Sequence, residues 1–214
     1  MSVVGDQAPT PSTPTKMSTS GVRAVLWEIL QTIFLTLLIF MAVRAVVQNF
    51  KVEGSSMEPT LHSGQYLLIN KIVYARLPEP LAAWFQRDGA GNDYLFGGPQ
   101  RGDIIVFRAP TQPDKDFIKR VIGVPGDTVE IRGGQVYIND QPIEEPYIRD
   151  RAPYVVPRLV VPPNHYFVLG DNRPNSSDSH VWGLVPAENI VGRAWVSYWP
   201  PNLWGVVPSA AYAR

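Results

Sequence analysis

The sequence predicts a mainly β body behind a single N-terminal membrane-spanning helix, and three observations carry that prediction. First, 21 prolines and 17 glycines punctuate a chain of 214 residues of which only 18% are charged, a composition that favours short strands and turns over long amphipathic helices. Second, Ile29 to Val43 contains no charged residue. Third, short apolar or alternating runs recur after that stretch, separated by Gly, Pro, Asn and Asp, the pattern of half-buried and buried strands joined by turns.

The same composition excludes several functions. The chain is long enough for one good-sized core, or a core plus a small subdomain. Its formal net charge is zero, so no basic field points to nucleic acid and no acidic run to a basic partner. There is no cysteine and there are only three scattered histidines. Disulfides, thiolate metal sites and cysteine nucleophiles are therefore excluded, a zinc site is disfavoured, and no cofactor is expected.

Residues 1 to 22 are rich in Ser, Thr, Pro and Gly; they cannot offset the entropy of ordering and read as a flexible tail. Residues 23 to 47 read as one transmembrane helix. Its charge-free core alone measures about 22 Å, short of a hydrocarbon layer of about 30 Å, but it suffices when extended to Ala24 and Val47 with Glu28 and Arg44 snorkelling. A cleaved leader would need small residues near its end, and Arg44 interrupts the approximate match Val43-Arg44-Ala45. A buried helix of a soluble protein would not be apolar all round. Lys16 and Arg23 before the helix balance Arg44 and Lys51 after it, so charge does not fix its orientation.

Residues 48 to 200 read as the β domain and 201 to 214 as a C-terminal tail. Phe50-Lys51-Val52 alternates as a short strand entering Gly54-Ser55-Ser56-Met57-Glu58-Pro59-Thr60-Leu61. Tyr66 to Ile69 and Ile72 to Tyr74 are apolar enough for core strands. Leu77 to Gln100, with Trp84, Phe85, Tyr94 and Phe96, reads either as a surface excursion with its own cluster or as an aromatic patch on a lipid interface. Arg101-Gly102-Asp103 is a turn feeding the buried strand Ile104 to Phe107, and Asp116 to Ile122 forms the next strand. Thr128 to Ile131, Gln135 to Ile138 and Gln141 to Ile143, split by Gly133-Gly134 and Asn139-Asp140, read as a meander. Residues 145 to 163 look like an extended connection. Tyr166 to Leu169 runs into Gly170-Asp171-Asn172-Arg173, and Ile190 to Trp199 is the last strand.

A serine framed by small residues just past a membrane helix is a candidate nucleophile, and it needs a base. His62, His165 and His180 are candidates for a Ser-His-Asp arrangement. That reading leaves Lys119 unexplained. Strand alternation sets Lys119 between Phe117 and Val121 on one face, with Ile118, Arg120 and Ile122 on the other. A lysine on an apolar face is either solvated at the sheet edge or buried, and burial would have to lower its pKa by about 2 to 3 units to make it a base near neutral pH.

Four boxes occur in order: Gly54 to Leu61; Arg101 to Phe107; Asp116-Phe117-Ile118-Lys119-Arg120 through Gly126-Asp127; and Gly170-Asp171-Asn172-Arg173 through Asn175-Ser176 and Asp178-Ser179 to Trp182-Gly183. Together they resemble the signature boxes of the bacterial type I signal peptidases, over roughly residues 24 to 200. The Asp178-Ser179-His180 variant is similar to that of cyanobacterial and plastid members. The resemblance implies a coiled antiparallel β-sheet body with residues 128 to 165 as an insertion. It implies Ser56 as nucleophile, Lys119 as general base, Ser176 as the hydroxyl orienting the lysine, and Arg120 paired structurally with Asp171. Asp178 is a further supporting residue, here beside His180 where some relatives carry arginine.

The resemblance also implies that Phe50, Val52, Met57, Leu61, Phe117 and Ile118 line apolar subsites for small side chains. The substrate would be an extended signal peptide bound as an added strand. The oxyanion would take the Ser56 N–H, but Gly54 stands where some relatives supply a second, hydroxyl donor. The partners implied are preproteins carrying signal peptides, the bilayer and the export machinery, with no nucleic acid. The body would lie on the periplasmic or lumenal side of a plasma (inner) or thylakoid membrane. A Ser-His-Asp hydrolase, a non-catalytic membrane assembly factor and a self-cleaving Ser/Lys protein are the other readings, the last disfavoured by the helix and the missing basic segment.

Overall fold

The structure, a computed structural model, describes residues 19–76 and 94–210. The aromatic excursion expected between 77 and 100 lies outside the described residues up to 93, as does the N-terminal tail up to 18. Residues 19 to 22 already belong to helix α1, Thr19–Val46, of 28 residues. That is about 42 Å of helix, and its stretch from Gly21 to Val46 is long and apolar enough to cross a membrane. Thr32 and Thr36 donate their hydroxyls to the carbonyls of Glu28 and Thr32, both at 2.8 Å, so their polarity is satisfied within the helix.

The body is built from antiparallel strands in two sheets. The larger sheet runs in the order β1 (Val47–Lys51), β2 (Tyr66–Asn70), β11 (Ile190–Trp199), β3 (Ile104–Ala109), β4 (Gln112–Gly123), β9 (His165–Leu169) and β10 (Val185–Pro186). The smaller one runs β7 (Gln141–Pro142), β6 (Gln135–Ile138), β5 (Thr128–Arg132), β8 (Val156–Val160). Asn139 and Asp140, both at positive φ, turn β6 into β7, and Gly133 and Gly134 turn β5 into β6. These residue types tolerate the left-handed conformation that tight hairpins require.

Burial explains the apolar runs. β3 sends Ile104 and Val106 into one cluster with Val52, Met57, Leu61, Leu67, Ile69 and Ile118. Its alternate residues Ile105 and Phe107 join Val121, Tyr166 and Val168 in another. A strand covered on both faces reads as continuously hydrophobic. A third cluster, with Ile122, Phe167 and Leu169 against Val129, Ile131, Val136 and Ile138, joins the smaller sheet to the larger.

Three expectations are corrected. Ile72–Tyr74 is a 3-10 turn, not a strand. The Asn70 side chain accepts the Val73 N–H at 3.2 Å, and a side-chain acceptor at the strand end favours a turn over continued pairing. The connection 145 to 163 contains β8, which pairs with β5. The C-terminal stretch packs well past residue 200: β12 (Gly205–Val206) pairs with Val196 and Ser197 of β11, and Val207 is buried in the core.

Candidate active site

Ser56 sits in the loop between β1 and β2. Met57 and Leu61 anchor that loop, 1% and 2% exposed in the core below, with Leu61 N–H donating to the Met57 carbonyl at 2.9 Å. Ser55 points outward and is exposed, whereas Ser56 is half-buried. A second loop, after β9, holds the serine loop from the other side. Asn172 donates its N–H to the Ser56 carbonyl at 3.0 Å and its side-chain amide to the Ser55 carbonyl at 3.1 Å. Gly170 packs so closely that a β-carbon there would lie 2.5 Å from the Ser56 carbonyl oxygen and 2.2 Å from Ser176 Oγ. Only glycine fits that approach.

Lys119 comes from the middle of β4, opposite Ile105 of β3. It is only 5% exposed. Its Nζ lies 2.7 Å from Ser56 Oγ and 2.9 Å from the Ile118 carbonyl. As an ammonium it donates to both; as a neutral amine it can accept the Ser56 O–H. Burial pushes the Lys119 pKa down to about 8, while the carboxylates of Asp178 and Asp171 pull it back up. A lysine held so near neutrality beside a serine hydroxyl has the two properties of a general base, reach and a matched pKa.

The histidines are engaged elsewhere. His62 is an exposed partner of Glu58 at 3.8 Å, His165 Nδ1 faces the Pro163 carbonyl at 2.9 Å, and His180 Nδ1 lies 2.7 Å from Asp178 Oδ1. Asp178 is fully buried and accepts the Gly170 N–H at 2.9 Å through its other oxygen. Arg120 and Asp171, 1% and 0% exposed, form a two-pronged pair at 2.9 and 2.7 Å. Arg120 also donates to the Gly102 carbonyl at 2.9 Å.

Ser176 departs from its implied role. Its hydroxyl is buried beside Gly170 and, among the described residues, has no hydrogen-bond partner. The amine of Lys119 bonds the Ile118 carbonyl instead. The substrate-binding set divides too. A groove of about 510 Å³ beside the pair is lined by Phe50, Phe117 and Ile118, together with Lys51, Glu53, Lys115, Asp116 and Ser177. Val52, Met57 and Leu61 are buried in the core cluster and do not line it; apolar side chains of an irregular loop gain more by turning into the core.

Residue counting missed Asn172, although it stands within the quoted Gly170 box, because its task is set by the approach of two loops distant in sequence. It also missed Glu145, Tyr147 and Tyr154, whose contacts are made across the two sheets. No motif marks them.

Two open edges of the larger sheet matter for the groove. Among the described residues, β1 pairs only with β2, and β9 pairs with β4 only from Arg120 onward. The portion of β4 before Arg120 and the outer edge of β1 therefore flank the groove with backbone groups open to a further strand.

A family model described as signal peptidase, peptidase S26, matches residues 26–199. The chain is 40% identical over 210 residues to a signal peptidase I of Leptolyngbya laminosa, covering 92% of this chain and 93% of that one. It is 35% identical to probable signal peptidase I-1 of Synechocystis, covering 87% of this chain and 91% of that one. It is 34% identical to the chloroplastic thylakoidal processing peptidase 1 of Arabidopsis thaliana, over 74% of this chain and 44% of that one.

Proposed function

The chain belongs to the signal peptidases of the peptidase S26 family, and from that premise we propose that Ser56 is its nucleophile and Lys119 its general base. It is a membrane peptidase that removes signal peptides from preproteins. The observation that supports the dyad is the 2.7 Å separation of Lys119 Nζ from Ser56 Oγ at the wall of the groove.

In this reading the neutral amine takes the Ser56 proton as Oγ adds to the scissile carbonyl, and the Ser56 N–H receives the oxyanion. The tetrahedral adduct collapses, and the lysine passes the proton to the departing amine, which is the N-terminus of the mature protein. An acyl-enzyme remains on Ser56. Water, deprotonated by Lys119, then frees the signal peptide and restores the serine. The signal peptide lies extended between β1 and the open edge of β4 as an added strand. Phe50, Phe117 and Ile118 crowd the groove wall and restrict the first and third residues before the cut to small side chains. Ser176 keeps a supporting role through packing on Gly170. Gly54 offers no side-chain donor for the oxyanion, so the second donor is a backbone amide or water.

The body is assigned to the periplasmic or lumenal face of a plasma or thylakoid membrane, where signal-peptide cut sites emerge. The bilayer and the export machinery are its partners there. Exposed Trp195, Trp199 and Trp204 support contact with lipid headgroups, where indole rings partition favourably. The test is incubation of the detergent-solubilised protein with one labelled preprotein. The wild type yields a product whose new N-terminus follows a small-x-small sequence; a preprotein left uncut by the wild type, or cut equally well by Ser56→Ala, removes the reading.

A pH dependence follows from the buried lysine. Only the neutral amine is competent, so kcat/KM is expected to rise about tenfold per pH unit below a midpoint near 8 and to level off above it. Substrate covering the groove deepens the burial of Lys119, so the corresponding limb in kcat should lie at lower pH. Initial rates of peptide cleavage between pH 5 and 10 measure both. A kcat/KM limb near 6.5 would instead indicate an imidazole base.

A further inference from the structure

The connection between β7 and β8 reaches across from the smaller sheet and touches the residues that hold the serine loop. Glu145 receives the Arg173 guanidinium at 3.0 and 2.5 Å. The Tyr147 ring lies 4.0 Å from the Arg120 guanidinium. The Tyr154 ring lies flat on the His180 imidazole, with centroids 3.6 Å apart and planes 2° from parallel.

The third contact stands in series with the chemistry. His180 Nδ1 is 2.7 Å from Asp178 Oδ1, the other Asp178 oxygen accepts the Gly170 N–H at 2.9 Å, and Gly170 presses on the Ser56 carbonyl. His180 belongs to the single-turn helix α2, Ser179–Trp182, a segment too short to hold itself rigid. Its imidazole is 17% exposed, so its orientation depends on whatever covers the ring. The hydroxyl of Tyr154 is buried and, among the described residues, has no hydrogen-bond partner. That residue is therefore held for its ring, not for its O–H.

We propose that Tyr154 is a positioning residue for catalysis, its ring clamping the His180 imidazole against Asp178 and so fixing the Gly170 backbone that supports Ser56. The proposal rests on the serine and lysine reading above. The charged and titratable groups around the clamp are Asp178 and His180 themselves, Asp171 and Arg173 from the same loop, Lys119 and Arg120 from β4, and Glu145 from the connection. Among these, Asp178 acts directly on the charge of Lys119. A loosened imidazole leaves that carboxylate less compensated and admits water beside the amine. Both changes favour the protonated lysine.

The experiment compares Tyr154→Leu and Tyr154→Phe with the wild type on one preprotein, with Ser56→Ala as the uncut control. Tyr154→Leu is expected to lower kcat at pH 7 about five- to tenfold with KM within about twofold, and to move the acid limb of kcat/KM up by about half to one unit. Tyr154→Phe keeps the ring and should restore both to within about twofold. Adding Tyr154→Leu to His180→Leu should cost little more than His180→Leu alone, because both break one chain of contacts. Tyr154→Met, which fills more of the space without offering a flat face, carries the same expectation should Tyr154→Leu not fold. The pH dependence of Lys119 acetylation by a small amine-reactive reagent, read by peptide mass spectrometry, reports the same shift without any turnover. Cleavage that persists in Ser56→Ala counts against the nucleophile assignment, whereas an unmoved Lys119 midpoint in Tyr154→Leu overturns the clamp. Wild-type kinetics in Tyr154→Leu, failure of Tyr154→Phe to restore them, or fully additive losses with His180→Leu also overturn it.

Discussion

Lys119→Arg is expected to be as inactive as Lys119→Met, each losing about three to four orders of magnitude in kcat while KM changes only a few-fold. Arginine keeps the positive charge and most of the length, so it separates two roles that a lysine can play. If Lys119 served by holding charge against the oxyanion, arginine would preserve much of the rate. If it serves by taking the proton of Ser56, arginine is useless, since a guanidinium is not deprotonated near neutral pH. The geometry favours the second role: the amine meets the serine hydroxyl itself at 2.7 Å. Burst kinetics on an activated ester substrate measure acylation directly, and a burst of wild-type rate in Lys119→Arg would sink the general-base assignment.

Lys119→Met is also expected to stabilise the fold, whereas Lys119→Arg, which keeps the buried charge, is not. The Lys119 pKa falls from 10.5 to about 8 on folding, so below pH 8, where both states carry the proton, the buried charge is a penalty that only the native state bears. This penalty is constant below the native pKa and is relieved as pH rises from 8 to 10.5, because the unfolded state then binds more protons than the native state. Lys119→Met, apolar and of similar length, removes a penalty of about 3 kcal/mol at pH 7. Its advantage in denaturant midpoint over the wild type should shrink as pH approaches 10. In the proposed reading of Lys119 as general base, its burial thus costs stability, as is common at active sites.

How much of this was legible from the sequence depends on the range of the forces involved. The helix α1 was readable because membrane insertion is a property of one continuous stretch, and the run around the charge-free Ile29 to Val43, extended to Ala24 and Val47, carries it without any partner distant in sequence. The β5 to β7 meander was readable because Gly133-Gly134 and Asn139-Asp140 fix their turns locally. The mainly antiparallel β body and the family followed from boxes of residues in order. What failed was decided at longer range. Ile72–Tyr74 has the composition of a strand, but the Asn70 side chain captured the Val73 N–H and closed a turn. Val52, Met57 and Leu61 have the composition of subsite walls, but the loop turns them inward. Tyr154 carries no signal at all, since its partner His180 lies in another loop and their stacking exists only once two sheets have packed. The packing of residues 205 to 207 on β11 was hidden for the same reason.

Arg120→Leu is expected to destabilise the body by about 3 to 5 kcal/mol, the usual consequence of leaving one member of a buried ion pair without its partner. Arg120 and Asp171 are essentially inaccessible to water, so the remaining carboxylate can be neither solvated nor screened. The loss reaches the active site by two routes. Asp171 precedes Asn172, whose N–H holds the Ser56 carbonyl at 3.0 Å, and the Asp171 charge itself raises the proton affinity of Lys119. With Arg120 gone, that charge is unopposed, so the acid limb of kcat/KM should move to higher pH in whatever fraction stays folded. Asp171→Asn is expected to be milder for Lys119, since it removes the charge that acts on the amine. It still takes the carboxylate from the guanidinium, which keeps among its contacts the carbonyls of Gly102 and Pro208, the Thr60 hydroxyl and the Tyr147 ring. The double variant Arg120→Leu/Asp171→Leu should recover most of the stability lost by either single one, because two apolar side chains replace a pair whose attraction was largely offset by desolvation. Denaturant titrations followed by circular dichroism measure all three. A double variant no more stable than Arg120→Leu would show that the pair is held for its geometry and not merely tolerated for its charge.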